Sequence, residues 1–587
     1  MYITANSAYQ SQAIPKKNKF TFISEITGIP QVWTLDEKGE PIQFGQFEDR
    51  IMDVQHSPLG TMTIVGMDHK GNEKQQLYIV RHNGEKVEEL VNEPEYFHHL
   101  GGWSPDESKI TFSSNRRGPG VFDIFVQDIN SKEIEPIFQS DEICTPLQWV
   151  PDGESILISI SRTNIDRDIY KLNIKTKEML RLGEKGKLAR YESIELTKDS
   201  KGGYLVTDLG EDTMYICRFS FAYPDKYEKL VGSSQWDIEE MKLSPNEDRL
   251  LFTMNEGGIS KLFTLDVATN EKKGVEGIAA GVIRSLSWLN NNQCIFSVKT
   301  PVCTGDIWRY TWDSGKVERL TYVGQVVAEN DVQKRPALHS FTSFDGLSVP
   351  YFYYEKEEGG NKPVVIYVHG GPENQTRADY NPLIQYLVSQ GFAVAAPNIR
   401  GSKGYGRAYI KLDDGRKRMD AVQDLVWLVK DIIKSKGADA QKIGIMGESY
   451  GGFMVLAALT HYPDLWAAGV DIVGMSNIRT FLENTGKWRR HLREYEYGTL
   501  KEHAQFFDEI APLYHSHKIT APLLVFHGRN DTRVPVSEAE QLVSDMEKRG
   551  QVVKLVVFED EGHDTQKVEN ISEMSRMISE FMTTYVK

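Results

Sequence analysis

The chain contains one G-x-S-x-G pentapeptide, Gly447-Glu448-Ser449-Tyr450-Gly451. A serine hydroxyl is a weak nucleophile at neutral pH, so the motif matters only if a base and an orienting carboxylate accompany it. Its flanks fit the requirement: residues 442–446 read as a buried strand and residues 452–459 as a buried helix. A strand-to-helix turn that tight exposes the hydroxyl, strains the backbone at the serine and needs small flanking residues. Ser449 is the candidate nucleophile. Its partners should follow in the order acid, then histidine, each on a loop after a strand. Residues 523–526 lead into His527 and then Asp531, and residues 552–558 lead into Glu559-Asp560-Glu561-Gly562-His563. Asp531 and His563 are the candidate acid and base. Nine of the fourteen histidines lie after Ala337, but only His563 is a post-strand residue downstream of a post-strand aspartate. His527 precedes the acid, which breaks the order. Asp560 and Glu561 sit too close to His563 in sequence to reach its far nitrogen comfortably.

Attack on a carbonyl puts negative charge on its oxygen, and two fixed backbone N–H groups are the usual means of holding it. One should belong to Tyr450, after the nucleophile. The other should come from a loop after an early strand, and residues 364–368 run into His369-Gly370-Gly371-Pro372. Gly371 is the first choice for that donor and Gly370 the second. His369 has no H-E-x-x-H motif or acidic cluster beside it, so it reads as a residue that fixes the loop and not as a metal ligand. The chemistry needs no cofactor.

These residues require a scaffold of alternating buried strands and helices. From about Ala337 the chain provides one: a hairpin at Asp345-Gly346, then apolar runs at 364–368, 392–396, 443–446, 469–473, 523–526 and 552–558 that read as strands buried on both faces. Segments 421–434 and 536–548 carry apolar residues at helical spacing. Residues 571–585 place Ile571, Met574, Ile578, Phe581 and Met582 on one helical face, as a closing helix would. This is the pattern of a doubly wound α/β domain.

The first half is organised differently. A turn signal recurs at Ser57-Pro58, Trp103-Ser104-Pro105, Trp149-Val150-Pro151, Thr197-Lys198, Ser244-Pro245 and Trp288-Leu289-Asn290. Taking positions 58, 105, 151, 198, 245 and 290, the steps are 47, 46, 47, 47 and 45 residues. Each signal precedes an alternating apolar run, and the run at residues 19–22 adds a unit one period earlier. Seven units with a period in the mid-forties predict a seven-bladed β-propeller of four-stranded blades, each burying its faces on its neighbours. An irregular all-β sandwich with coincidental turns is the alternative. The predicted organisation is a propeller over residues 1–330 and an α/β-hydrolase domain over residues 331–587.

Composition narrows the partners. Of 587 residues, 68 are Lys or Arg and 83 Asp or Glu, a net charge of −15 that gives a nucleic-acid backbone or an anionic membrane no overall attraction. Four scattered cysteines, Cys144, Cys217, Cys294 and Cys303, form no C-x-x-C pair and suggest a reducing compartment. The polar start and the lack of a long apolar run lead to the expectation of a soluble, cytoplasmic protein.

The order of propeller then hydrolase, together with His369-Gly370-Gly371-Pro372, Asn398 through Ser402, Gly404-Tyr405-Gly406, the Ser449 motif, Asp531-Thr532-Arg533 and Glu561-Gly562-His563, resembles the prolyl oligopeptidase family of serine peptidases. The acylaminoacyl-peptidase-like bacterial and archaeal branch is the most similar. The resemblance implies hydrolysis of short, in some cases N-acylated, peptides in a cavity between the domains, with the propeller excluding folded proteins. It implies that Arg533 holds a substrate carbonyl, with an ion pair to a nearby carboxylate as the alternative. It also implies that Trp488 and Leu492 line the apolar pocket before the cleaved bond, with helix-core packing as the equal reading. Family members often oligomerise, so a second copy of the chain is an implied partner.

Lys487, Arg489, Arg490 and Arg493 cluster in the same segment; they could draw a substrate carboxylate, and a solvated face is the expectation. Two departures stand out. Asp564-Thr565 follow His563 where many relatives have Gly-Phe, and Glu239-Glu240 lack the pattern of the dipeptidyl amine clamp. An esterase acting on small acyl esters, or a propeller-based binding protein with an inactive hydrolase domain, are the rival functions.

Overall fold

The computed structural model describes residues 6–82, 86–325, 336–356 and 359–587. Seven four-stranded antiparallel sheets succeed one another from Tyr9 to Arg319. Each sheet is built from four strands consecutive in sequence, so the predicted seven-bladed propeller is present. The turn signals have a physical basis. Ser57, Ser104 and Ser244 each turn Oγ to accept a backbone N–H five residues on, from Met62, Lys109 and Arg249 at 2.9–3.1 Å. The tryptophans act between blades: Trp103, Trp149 and Trp288 donate Nε1–H to the carbonyls of Gln55, Gly102 and Lys242 in the preceding blade, at 3.2–3.3 Å. That bond spans one period, which is why the indole recurs with the repeat. Between the first and last blades no strand is exchanged among the described residues; Ala8 N–H to Gly305 O (2.9 Å) and Ala13 N–H to Ser287 Oγ (3.0 Å) bridge the seam.

The C-terminal domain is one eight-stranded sheet. Its strands are β1 (Ala337–Thr342), β2 (Ser348–Tyr354), β3 (Lys362–Val368), β4 (Ala393–Pro397), β5 (Ala438–Glu448), β6 (Ala468–Ile472), β7 (Leu523–Gly528) and β8 (Val553–Phe558). Their order is β1-β2-β4-β3-β5-β6-β7-β8, with β1, β2 and β4 joined antiparallel and the remaining pairs parallel. Helices α1 (Pro382–Ser389), α2 (Arg418–Lys436), α3 (Tyr450–His461), α4 (Lys487–Tyr497), α5 (Ser537–Lys548) and α6 (Val568–Tyr585) accompany it. Two apolar clusters form on the sheet: one includes α2, α3 and α5, the other α1 and α6. One strand reading needs correction. The run at 552–558 was expected to be buried on both faces, yet β8 is the sheet edge; Lys554 is exposed and Val552, outside the strand, is 57% exposed. An edge strand has one open flank, so its apolar run reflects β propensity as well as burial.

The proposed boundary at 330/331 lies outside the described residues. Among those described, no helix is long and apolar enough to cross a membrane.

Candidate active site

Strand β5 ends at Glu448 and helix α3 begins at Tyr450, leaving Ser449 alone at the turn. Its backbone is left-handed, φ 58° and ψ −116°, a strained conformation for a side-chain-bearing residue. The flanking glycines are required by close approach: a Cβ on Gly451 would stand 2.1 Å from Val368 O, and one on Gly447 would stand 2.4 Å from Gly451 O. Ser449 N–H is held by Ile472 O at 2.8 Å, so the turn is anchored to β6.

The loops after β7 and β8 bring the other two groups to it. His563 Nε2 lies 3.0 Å from Ser449 Oγ, and His563 Nδ1 lies 2.7 Å from Asp531 Oδ2. Asp531 Oδ1 accepts the backbone N–H groups of Arg533 (2.8 Å) and Val534 (2.9 Å), which fix the carboxylate plane. Burial alone would raise Asp531, but His563, His527 and the hydrogen bonds hold its carboxyl well below the usual carboxylate range. An ionised Asp531 only accepts, so Nδ1 carries the imidazole proton and Nε2 is free to take another. The sequence-predicted Ser449, His563 and Asp531 are thus in mutual hydrogen-bond reach.

The rivals have other partners. His527 is fully buried, with Nε2 2.9 Å from Val534 O and 3.5 Å from Asp531 Oδ2. Asp560 pairs with Lys567, and Glu561 accepts Lys567 N–H (2.9 Å) and Asn570 Nδ2 (2.8 Å). Glu448, beside the nucleophile, is pushed up to about 7 by burial and then by Asp564, against the pull of His563. The departure at Asp564 therefore adds a second carboxyl beside His563.

Tyr450 opens α3, so its N–H lies in the first helical turn, where amides have no intrahelical acceptor. The loop after β3 brings Gly370 against the nucleophile: a Cβ there would stand 3.3 Å from Ser449 Cβ. Gly371 follows with φ +121°, and Arg493 Nη1 donates to its carbonyl at 3.4 Å. His369 spans Gly370 O (2.7 Å) and Ser402 Oγ (2.8 Å), and burial pushes it down to about 4, so it serves as a neutral brace. Among the described residues no group of three or more His, Cys, Asp or Glu could hold a metal ion.

Arg533 forms an ion pair with Glu73, a propeller residue, through Nη2 and through Nε at 3.1 Å. Trp488 and Leu492, on α4, pack against Phe97, Phe122 and Ile143 of the propeller. The expectation of a solvated basic face on α4 needs correction. Lys487 is exposed and Arg490 is 40% exposed, but Arg493 is 14% exposed and bonded to Glu496 (2.7 Å), and Arg489 Nη1 is shielded from solvent. The helix faces the propeller, and two of its four basic residues lie on that covered side. Glu239 and Glu240 serve the scaffold: Glu239 pairs with Arg377, and Glu240 accepts Ser285 N–H (2.9 Å) and Leu286 N–H (2.7 Å).

Sequence reasoning missed the groups that join the halves. Glu73 meets both Arg533 and Thr532 Oγ1 (2.9 Å), Asn164 meets Glu373, and Arg407 meets Asp208 (2.9 Å) and Asp166 (2.7 Å). Gly71 of the second blade touches the histidine loop, where a Cβ on Gly562 would stand 2.0 Å from Gly71 O. No local pattern marks residues 460 positions apart as partners.

Residues 379–587 match the model of the prolyl oligopeptidase family. A dipeptidyl aminopeptidase BIII of Pseudoxanthomonas mexicana is 35% identical over 213 residues, covering 35% of this chain and 31% of that protein. An acylamino-acid-releasing enzyme 2 of Oryza sativa subsp. japonica is 24% identical over 294 residues, covering 46% of this chain and 36% of that protein. The chain thus spans about a third of the length of these curated relatives. A solved prolyl endopeptidase structure superimposes with a TM-score of 0.87 over 99% of this chain and 90% of its own, at 18% identity, a likeness of fold.

Proposed function

From the match of residues 379–587 to the prolyl oligopeptidase family, we propose that the chain is a serine peptidase of that family, cleaving short peptides, N-acylated ones included, through an acyl-enzyme. The observation that carries this reading is the His563 imidazole bridging Ser449 Oγ at 3.0 Å and Asp531 Oδ2 at 2.7 Å. As Ser449 Oγ bonds to the scissile carbonyl carbon, its proton passes to His563 Nε2. Asp531 stabilises the imidazolium that forms. The carbonyl oxygen takes the negative charge and is held by the N–H groups of Tyr450 and Gly371. His563 then gives the proton to the leaving amine as the C–N bond breaks. Water repeats the sequence on the ester and releases the acid.

Arg533, drawn from Glu73, binds the substrate carbonyl one residue before the scissile unit, and Trp488 and Leu492 provide the apolar wall. The propeller, seated on the histidine loop, limits substrate size. The four unpaired cysteines support a cytoplasmic location.

An active-site phosphonate tests the chemistry: covalent labelling of wild type that vanishes in Ser449→Ala is expected, and an unlabelled folded wild type refutes it in favour of an inactive binding protein. Mass-spectrometric mapping of products from peptides of graded length tests the substrate. Cleavage that stops at a length limit is expected; turnover of acyl esters with no peptide cleaved refutes peptidase action in favour of an esterase.

A further inference from the structure

Helix α4 is stitched to the loop carrying Asp531 and Arg533. Thr485 Oγ1 donates to Arg533 O at 2.7 Å, and a Cβ on Gly486 would stand 3.2 Å from Thr532 O. Two N–H groups at the start of this helix are shielded from solvent with no acceptor among the described residues: Arg489 Nη1 and Trp488 Nε1. The Arg489 guanidinium rests on the Trp488 ring, 5.6 Å from its centroid, and that ring lies 5.6 Å from Phe97 of the propeller.

The neighbouring carboxylates are already engaged. Glu73 pairs with Arg533, while Glu373 and Glu496 pair with Arg493, one helical turn further along the same face. Among the described residues Arg489 has no ion pair of its own. Burial, then the like charges of Arg493 and Arg533, push it down to about 10, so it stays a cation at neutral pH. A guanidinium nitrogen shielded from water with no acceptor is costly, and an anion would complete it.

The geometry points to Arg489 and Trp488 Nε1 as a subsite for a carboxylate of the peptide substrate, carried on an acidic side chain or on a free C-terminus. The fork of guanidinium N–H groups suits a carboxylate, the indole N–H supplies a further donor, and the apolar wall of Phe97 and Leu492 keeps water from competing. The site lies on the segment bonded to Arg533, and Arg493 on the same helix face reaches Gly371 O. A bound carboxylate would therefore share the site with the carbonyl undergoing attack. This inference rests on the peptidase reading.

The test uses matched acetylated peptides in two pairs, free acid against C-terminal amide and Glu against Gln next to the cut. KM is measured with wild type, Arg489→Met and Arg489→Lys, and binding of the same peptides to Ser449→Ala is measured by calorimetry. Wild type should favour the carboxylate member of at least one pair by about tenfold or more, and the pair that responds identifies the source. Arg489→Met should erase the preference and Arg489→Lys should keep most of it. If Arg489→Met does not fold, Arg489→Gln takes its place. Equal treatment of both pairs in turnover and binding, or a preference that survives Arg489→Met, overturns the subsite. Selective binding to Ser449→Ala with no peptide cleaved by wild type would instead overturn the peptidase reading and leave the subsite standing.

Discussion

Asp531→Asn changes one atom and reverses one hydrogen bond. The carboxylate uses Oδ1 to accept two backbone N–H groups, from Arg533 and Val534, and Oδ2 to accept from His563 Nδ1. An asparagine must keep its oxygen on the two backbone donors, since turning it over would strand both at about 1 kcal/mol or more each. Its NH2 group then faces His563 Nδ1 at 2.7 Å. Two donors cannot share that contact, so the imidazole shifts its proton to Nε2, the nitrogen that must be bare to accept from Ser449. The variant also loses the negative charge beside the imidazolium, worth about 4 kcal/mol at 4 Å and an effective dielectric of about 20, or roughly three decades of rate. With the tautomer error included, kcat should fall by about 10^3- to 10^4-fold. KM should stay within about threefold, because Asp531 is buried and touches no substrate. Steady-state kinetics on a chromogenic substrate, with a thermal scan to show intact folding, gives both numbers. A kcat above a tenth of wild type, or a loss confined to KM, refutes the assigned role.

Gly562→Ala should lower kcat at least tenfold with less effect on folding, because its new methyl would sit 2.0 Å from Gly71 O and must displace either the blade or the loop carrying His563; unchanged kinetics would show that this contact does not position the base. Asp471, on β6 beneath the nucleophile turn, is pushed up to about 7 by burial, above its value of 3.8 in an unfolded chain. The folded domain therefore holds a proton that the unfolded chain lacks, and its stability falls as pH rises from about 4 through 7, by up to about 4 kcal/mol. Asp471→Asn should remove that slope, so calorimetric scans between pH 5 and 8 should show the two proteins diverging as pH rises; parallel curves would refute the assignment.

Ser449, Asp531 and His563 were readable because each sits where its local sequence says it must. Gly447 and Gly451 announce a crowded turn, and the apolar runs before Asp531 and His563 announce strands whose ends converge at one edge of a parallel sheet. The blade repeat was readable because Ser57, Ser104 and Ser244 make one kind of bond, and Trp103, Trp149 and Trp288 another, at the period of the repeat. What stayed hidden depends on how the two halves meet. Arg533 looks alike whether it awaits a peptide or pairs with Glu73, and only the placement of the second blade distinguishes the two. Arg489 and Arg493 looked like solvent-facing charges because helical spacing alone does not say that a propeller covers that side of α4. The Val552 run looked doubly buried because β-branched residues suit an edge strand as well as an interior one.

The seam between wheel and hydrolase is held mainly by ionic and amide groups: Arg407 with Asp208 and Asp166, Arg377 with Glu239, Asn164 with Glu373, Arg533 with Glu73. Bulk solvent and dissolved salt can serve each of these as a replacement partner, which they could not do for an oily joint. Apolar contacts also cross the seam, where Trp488 and Leu492 meet Phe97 and Phe122, where Ile259 packs on the cluster around Phe352, and where Trp236 meets Tyr405. Wetting the seam is therefore cheap at the ionic contacts and costly at the apolar ones, so the apolar contacts are where the two halves hold on longest.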